Sequence, residues 1–137
     1  MPAHNGDGPR PDALVRWLLT IAGQADRPAL SEILHPRFTI IEPACLPWGG
    51  THTGVDAYIT LMTHIGEAFE IAFTHERIIT EGHEAVLTCV VEFTRRTTGH
   101  LVAMPTVEMF TTTDDLLTTS QVYFADPTRI LSALDQH

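Results

Sequence analysis

The apolar positions change their period partway along the chain, and that change divides it into two kinds of structure. Leu14, Trp17, Leu18 and Ile21 recur at i, i+3, i+4 and i+7, which predicts a helix from about Pro11 to Gly23. Pro11 suits the first turn and Gly23 the stop. Asp26 is placed to cap a second, shorter helix with Leu30, Ile33 and Leu34 turned inward, ended by His35-Pro36. Phe38 to Glu42 read as a short strand halted by Pro43, and residues 47–54 as a loop. Val55, Tyr58, Ile59, Met62, Ile65 and Phe69 return to helical spacing.

From Ile71 onward the pattern becomes β-like. Four runs are predicted, Ile71–Thr80, Glu84–Arg96, Leu101–Thr113 and Leu116–Ala125, separated by Glu81-Gly82-His83, Thr97-Thr98-Gly99 and Thr113-Asp114-Asp115. Asp126-Pro127 reads as one more helix start. Helices first and a meander afterwards predict an α+β fold, with three N-terminal helices on an antiparallel sheet. Residues 1–10 read as a disordered lead and 11–137 as one domain. In the second run Val86 and Val90 share one face, while Leu87, Cys89, Val91 and Phe93 share the other. Both faces are apolar and helices can cover only one, so a homodimer through the outer sheet face is expected. The competing reading is a hydrophobic central strand in a monomer.

Composition narrows the function. The 137 residues are 44% hydrophobic and carry a formal charge of −9, with eight Lys and Arg together. Such a surface disfavours nucleic acid and anionic membranes. No run approaches the roughly 20 apolar residues that span a bilayer. The first residues resemble no secretory signal. Cys45 and Cys89 form neither a CxxC nor a disulfide framework, and a cytoplasmic location is expected. The scattered histidines show no metal spacing, no nucleotide-binding motif appears, and neither a metal nor an organic cofactor is expected. The expected partner is a small hydrophobic molecule.

Two carboxyls stand in apolar strands. Phe38, Ile40 and Glu42 share a face by the period of two, so Glu42 turns inward if Phe38 does. A carboxyl held there has a raised pKa and can serve as general base or acid. The bland reading is a strand-end Glu turned to water. Glu108 shares its face with Met104, Thr106 and Phe110, while Val107 and Met109 point the other way. Buried, it would be paired or protonated, and a protonated carboxyl can donate to an oxyanion. Its bland reading is a rim residue bonded to a backbone amide. Trp17, Trp48, His52, Tyr58 and Met62 are further candidates for a pocket lining, each with core or loop packing as the alternative. Met104, Thr106 and Phe110 join them through the face they share with Glu108.

Ile41-Glu42-Pro43, the segment Leu46-Pro47-Trp48-Gly49-Gly50-Thr51-His52-Thr53-Gly54 and Val107-Glu108-Met109-Phe110 resemble the SnoaL-like and ketosteroid-isomerase-like branch of the NTF2-like superfamily. The resemblance covers nearly the whole chain and implies a cone, with the helices and a curved sheet enclosing a pocket. It implies that Glu42, before Pro43, takes the place of the proton-shuttling acid. It also implies that Glu108 takes the place of the acid in the oxyanion hole. Trp17 aligns with the family's first-helix tyrosine, a departure that weighs against steroid isomerisation. The implied function is proton transfer on a small hydrophobic carbonyl compound, such as a polyketide, terpenoid or steroid-like molecule, ending in isomerisation or aldol-type cyclisation. The alternatives are a non-catalytic ligand-binding or dimeric assembly module, and an epoxide-opening cyclase or hydrolase with Glu67 or Glu70 as second carboxyl.

Overall fold

The computed structural model describes residues 9–135. The expected disordered lead therefore lies, for its first eight residues, outside the described residues. Helix α1 spans Pro11–Ile21 and runs on into a 3-10 turn over Ala22–Gln24. Helix α2 spans Arg27–Ile33, and the Asp26 side chain accepts from the Ala29 backbone N–H at 3.1 Å, as expected of its cap. Helix α3 spans Val55–Ala68, and its Asp56 is paired with Arg27 of α2.

The strands are β1 (Leu34–Glu42), β2 (Gly50–Thr53), β3 (Phe69–Glu81), β4 (Glu84–Arg95), β5 (Leu101–Thr113) and β6 (Leu116–Phe124). They form one sheet in the order β2-β1-β6-β5-β4-β3. Helix α4, Pro127–Leu134, follows with Asp126 as its cap. The α+β cone expected from the sequence is therefore present, with four α-helices among the described residues and a sheet that is mixed, not antiparallel throughout.

Three local details differ from expectation. Strand β1 begins directly after α2, so His35-Pro36 lies inside the strand and not in a connecting turn. Pro36 lacks an N–H, and the pairing of β1 with β6 breaks register between Leu34 and Thr39. That pairing is parallel, because the chain leaves β1 and returns at β6 only after the whole meander. Part of the expected loop, Gly50–Thr53, is a strand of four residues that turns back along β1, Glu42 opposite Gly50 and Ile40 opposite His52.

The core lies between the helices and the concave face. Leu14, Leu18, Leu30, Ile33, Leu61 and Ile65 meet Leu87, Val91, Phe93, Phe110 and Leu117, all buried. On β4 the alternation is regular: Ala85, Leu87, Cys89, Val91 and Phe93 are buried, and the residues between them half-buried. Burial also pushes the Cys89 thiol up to about 12, helped by the charges of Glu108 and Glu76, so it remains a protonated packing residue. The convex face keeps a row of side chains that is apolar but for one glutamine. Ile79, Val86, Met109, Gln121 and Ile41 follow one another across five strands, with Val107 and Tyr123 beside them. Ile41, Ile79, Val107, Met109 and Tyr123 are exposed.

Candidate active site

Strand register brings the two carboxyls onto one row of the concave face. Glu108 on β5 pairs with Val122 on β6. The parallel pairing runs Ile40 with Ser120 and Ile41 with Gln121, so Glu42 comes level with Val122 from the other side. The two glutamates thus stand two strands apart, about 10 Å between backbones. Both point the same way, into a cavity between the sheet, α1 and α3. The cavity has an empty volume of about 610 Å³, counting its open mouth. Leu18 and Leu19 of α1, Ala22 of the turn after it, and Tyr58, Met62 and Ile65 of α3 form its roof. Phe73, Phe93, Phe110 and Phe124 give it aromatic walls, and Thr106 adds a hydroxyl already donated to the Met104 carbonyl at 2.8 Å.

Glu42 is 5% exposed at the end of β1, and the Trp48 indole Nε1–H donates to its Oε1 at 3.0 Å. Burial and then the neighbouring Glu108 raise its pKa to about 8, against the pull of that indole donor. Glu108 keeps part of its surface accessible, and that surface lines the cavity. The Ser120 hydroxyl donates to its Oε2 at 2.5 Å. Burial raises Glu108 to about 7, with Ser120 opposing the shift. Tyr58 is 3% exposed. Burial first, then the charges of Glu108 and Glu42, hold its phenol well above its ordinary range, so it remains a neutral donor.

Of the residues singled out from the sequence, Glu42, Tyr58, Met62, Thr106, Glu108 and Phe110 line this one cavity. Four do not. Trp48 lies behind Glu42 and touches the cavity only through that carboxyl. His52 sits on β2 with Nε2 2.7 Å from the Trp48 carbonyl oxygen. Met104 is fully buried, its sulfur accepting from the Asp126 N–H at 3.4 Å. Trp17 packs half-buried against the core, and its indole nitrogen has no hydrogen-bond partner among the described residues. The phenol near the carboxyls comes from Tyr58 of α3, while the first helix contributes Leu18 and Leu19, and the turn after it Ala22. Ser120 escaped the sequence reading. Its only signal there was a polar residue at an inward position between Leu117 and Val122. Glu67 and Glu70 are exposed outside this cavity, Glu70 paired with Arg96. No group of three or more His, Cys, Asp or Glu among the described residues could hold a metal ion. No helix there is long and apolar enough to cross a membrane.

This arrangement can hold a flat apolar molecule with one polar group at the carboxyl end. Lining residues include no Lys, Arg or His, so an ionised carboxylate would enter unpaired.

Comparison of the sequence with curated proteins found no match. Similar solved structures include an NTF2-like protein from Burkholderia xenovorans LB400, with TM-score 0.82 and 19% identity over 91% of this chain and 95% of that one. A candidate SnoaL-like polyketide cyclase from Jannaschia sp. CCS1 gives TM-score 0.78 and 18% identity over 100% and 99%. TerC, co-crystallised with polyporic acid, gives 0.77 and 16% over 92% and 98%. At these identities the likeness is one of fold. The family model for the SnoaL-like domain matches residues 15–119, and the chain belongs to the SnoaL-like domain family.

Proposed function

We propose that the chain is a proton-transfer enzyme acting on a small, uncharged, hydrophobic carbonyl compound of the polyketide, terpenoid or steroid-like kind. The observation that carries this is that Glu42, Glu108 and Tyr58 line one apolar cavity, near enough for the charge of Glu108 to act on Glu42 and for both carboxylates to act on the phenol. With the substrate carbonyl against Tyr58 and Glu108, the Glu42 carboxylate takes a proton from the adjacent carbon. The C–H electron pair moves into the carbonyl, and the resulting oxyanion accepts hydrogen bonds from the phenol and the protonated Glu108. In the empty cavity burial raises both carboxyls well above the ordinary carboxylate range. A carbonyl oxygen seated against Glu108 favours the proton there and leaves Glu42 as the ionised partner, because only a protonated carboxyl can donate to it. Return of the proton from Glu42 to a different carbon completes an isomerisation. Attack of the enolate carbon on a second carbonyl, whose oxygen takes the C=O electron pair and then the proton held by Glu42, completes an aldol-type ring closure.

TerC, a structural neighbour co-crystallised with polyporic acid, is in keeping with a small-molecule pocket in this fold. Titration with a naphthol or an equilenin-like phenol tests the oxyanion site, with phenolate formation followed by absorbance. The expected result is binding with a shift toward phenolate, weakened about tenfold or more by Tyr58→Phe. Absence of binding by any such phenol would contradict the reading.

A second reading, a dimeric module, rests on the convex face. Ile41, Ile79, Val107, Met109 and Tyr123 form an exposed apolar surface on a chain of net charge −9, and a second copy of the chain suits it. Sedimentation should give a dimer that Met109→Lys converts to monomer with the fold intact. A wild-type monomer at high concentration would contradict it. Glu67 and Glu70, being outside this cavity, lend no support to epoxide opening.

A further inference from the structure

We propose that Trp48 is a positioning residue for Glu42: its indole occupies one carboxyl oxygen, so that proton exchange with the substrate runs through the other. This rests on the reading of Glu42 as the base.

The loop between β1 and β2 is built to deliver that indole. Glu42 pairs with Gly50, so the seven residues between them close a short loop on the base itself. Within it the Leu46 N–H donates to the Pro43 carbonyl at 3.1 Å and the Gly49 N–H to the Leu46 carbonyl at 2.8 Å. Gly49 presses against the start of the loop so closely that a Cβ there would lie 2.3 Å from the Pro43 oxygen. A side chain at 49 would open the loop and carry Trp48 away from Glu42. His52 fastens the far side, its Nε2 at 2.7 Å from the Trp48 carbonyl oxygen. The indole itself is 3% exposed and meets the rings of His64 and Phe69 edge-on, with centroids at 6.0 and 6.4 Å.

An indole N–H can only donate. Buried behind the base, it is best satisfied when Glu42 Oε1 is the carbonyl-type oxygen, the better acceptor of a protonated carboxyl, so a proton on Glu42 is favoured on Oε2. Oε2 is therefore the oxygen that exchanges protons with a bound molecule. The same contact is stronger when Glu42 is ionised, because a charged acceptor holds a donor more tightly. Trp48 thus fixes which oxygen reacts and keeps the base ionisable in a place where burial works against charge. A packing residue would need neither the N–H nor its aim.

Other titratable groups around Glu42 are accounted for. Glu108 and Tyr58 face it across the cavity, and His52 and His64 touch Trp48 from β2 and α3. Neither histidine is bonded to the carboxyl, so Trp48 is the group whose removal bears on it directly.

The test is a ¹³C NMR titration of the full-length protein with labelled glutamate side chains, the Glu42 signal being identified by its loss in Glu42→Gln. Trp48→Phe keeps the ring and removes the donor. It is expected to raise the Glu42 midpoint by about one pH unit, a tenfold loss of the ionised form at neutral pH. Phenol binding, which depends on Tyr58 and Glu108, should stay within about twofold. If Trp48→Phe lowers the melting temperature and leaves the Glu42 midpoint where it was, Trp48 is a packing residue and the proposal fails. If that variant does not fold, His52→Ala, which loosens the loop from β2, should still raise the midpoint; an unchanged midpoint there overturns the proposal too. Failure of the base assignment would look different: the midpoint would move with Trp48→Phe, but proton exchange on a ketone would not slow.

Discussion

Replacing Glu108 by Gln will raise the melting temperature by about 10 °C near pH 9 and leave it almost unchanged near pH 4. The reason is the position of the two carboxyls relative to an unfolded chain. Folding moves Glu108 from an ordinary 4.5 up to about 7 and Glu42 up to about 8. Between the unfolded and folded values the native state therefore holds more protons than the unfolded one, and stability falls as the pH rises. This contribution is fully present below about pH 4.5 and is lost progressively as the pH passes the raised values. For Glu108 alone the difference amounts to about 3 kcal/mol by pH 9, at roughly 1.4 kcal/mol per unit. Gln keeps the shape and can still bond Ser120 but never ionises. Glu42→Gln should behave alike, with the gain offset in part because its side chain must still satisfy the Trp48 N–H. Thermal melts at the two pH values check this. A Glu108→Gln protein no more stable than wild type near pH 9 would mean that these carboxyls are well solvated or already paired in the native state.

Such a cost is informative about purpose. A domain stabilised by its core alone would place Leu or Met at 42 and 108, as it does at 40 and 104 by using Ile and Met. Instead two ionisable groups are held in an apolar cavity, each with one hydrogen-bond donor behind it and one side open. Strained electrostatics of this kind is found at sites where protons move.

How far the sequence could reveal this follows from the range of each interaction. Strand parity is local, so Phe38, Ile40 and Glu42 on one face and Thr106, Glu108 and Phe110 on another could be read directly. Helix faces and turn residues are equally local, and the α+β order came with them. What needed the tertiary structure was every relation across strands. The parallel pairing of β1 with β6 places Glu42 level with Val122 and hence opposite Glu108, and nothing in either segment encodes that register alone. Strand β2 has only four residues, too short for its alternation to stand out between two glycines. Tyr58 sits at a helical position indistinguishable from its core neighbours Leu61 and Ile65, so its aim toward the carboxyls was hidden. The alignment of Trp17 with a family tyrosine drew attention to α1, whereas the phenol enters from α3. The Trp48–Glu42 bond depends on the closure of a loop, which sequence spacing leaves open.

The most direct measurement of the central claim is proton exchange on a simple apolar ketone. In deuterated buffer near pH 8, the wild-type protein should catalyse deuterium incorporation at the carbons beside the carbonyl of 2-tetralone, followed by proton NMR. A neutral, flat ketone suits an apolar, partly open cavity walled by Phe73, Phe93, Phe110 and Phe124. Exchange needs only the shared first step, removal of the proton and stabilisation of the oxyanion. It is therefore independent of the natural substrate and of whether the enolate is reprotonated or closes a ring. Glu42→Gln should reduce the catalysed rate about 10³-fold, within the range that a positioned general base supplies. Tyr58→Phe should cost about tenfold to a hundredfold, the scale of one oxyanion donor among two. Equal exchange by wild type and Glu42→Gln would contradict the account and leave the cavity as a place that binds molecules without changing them.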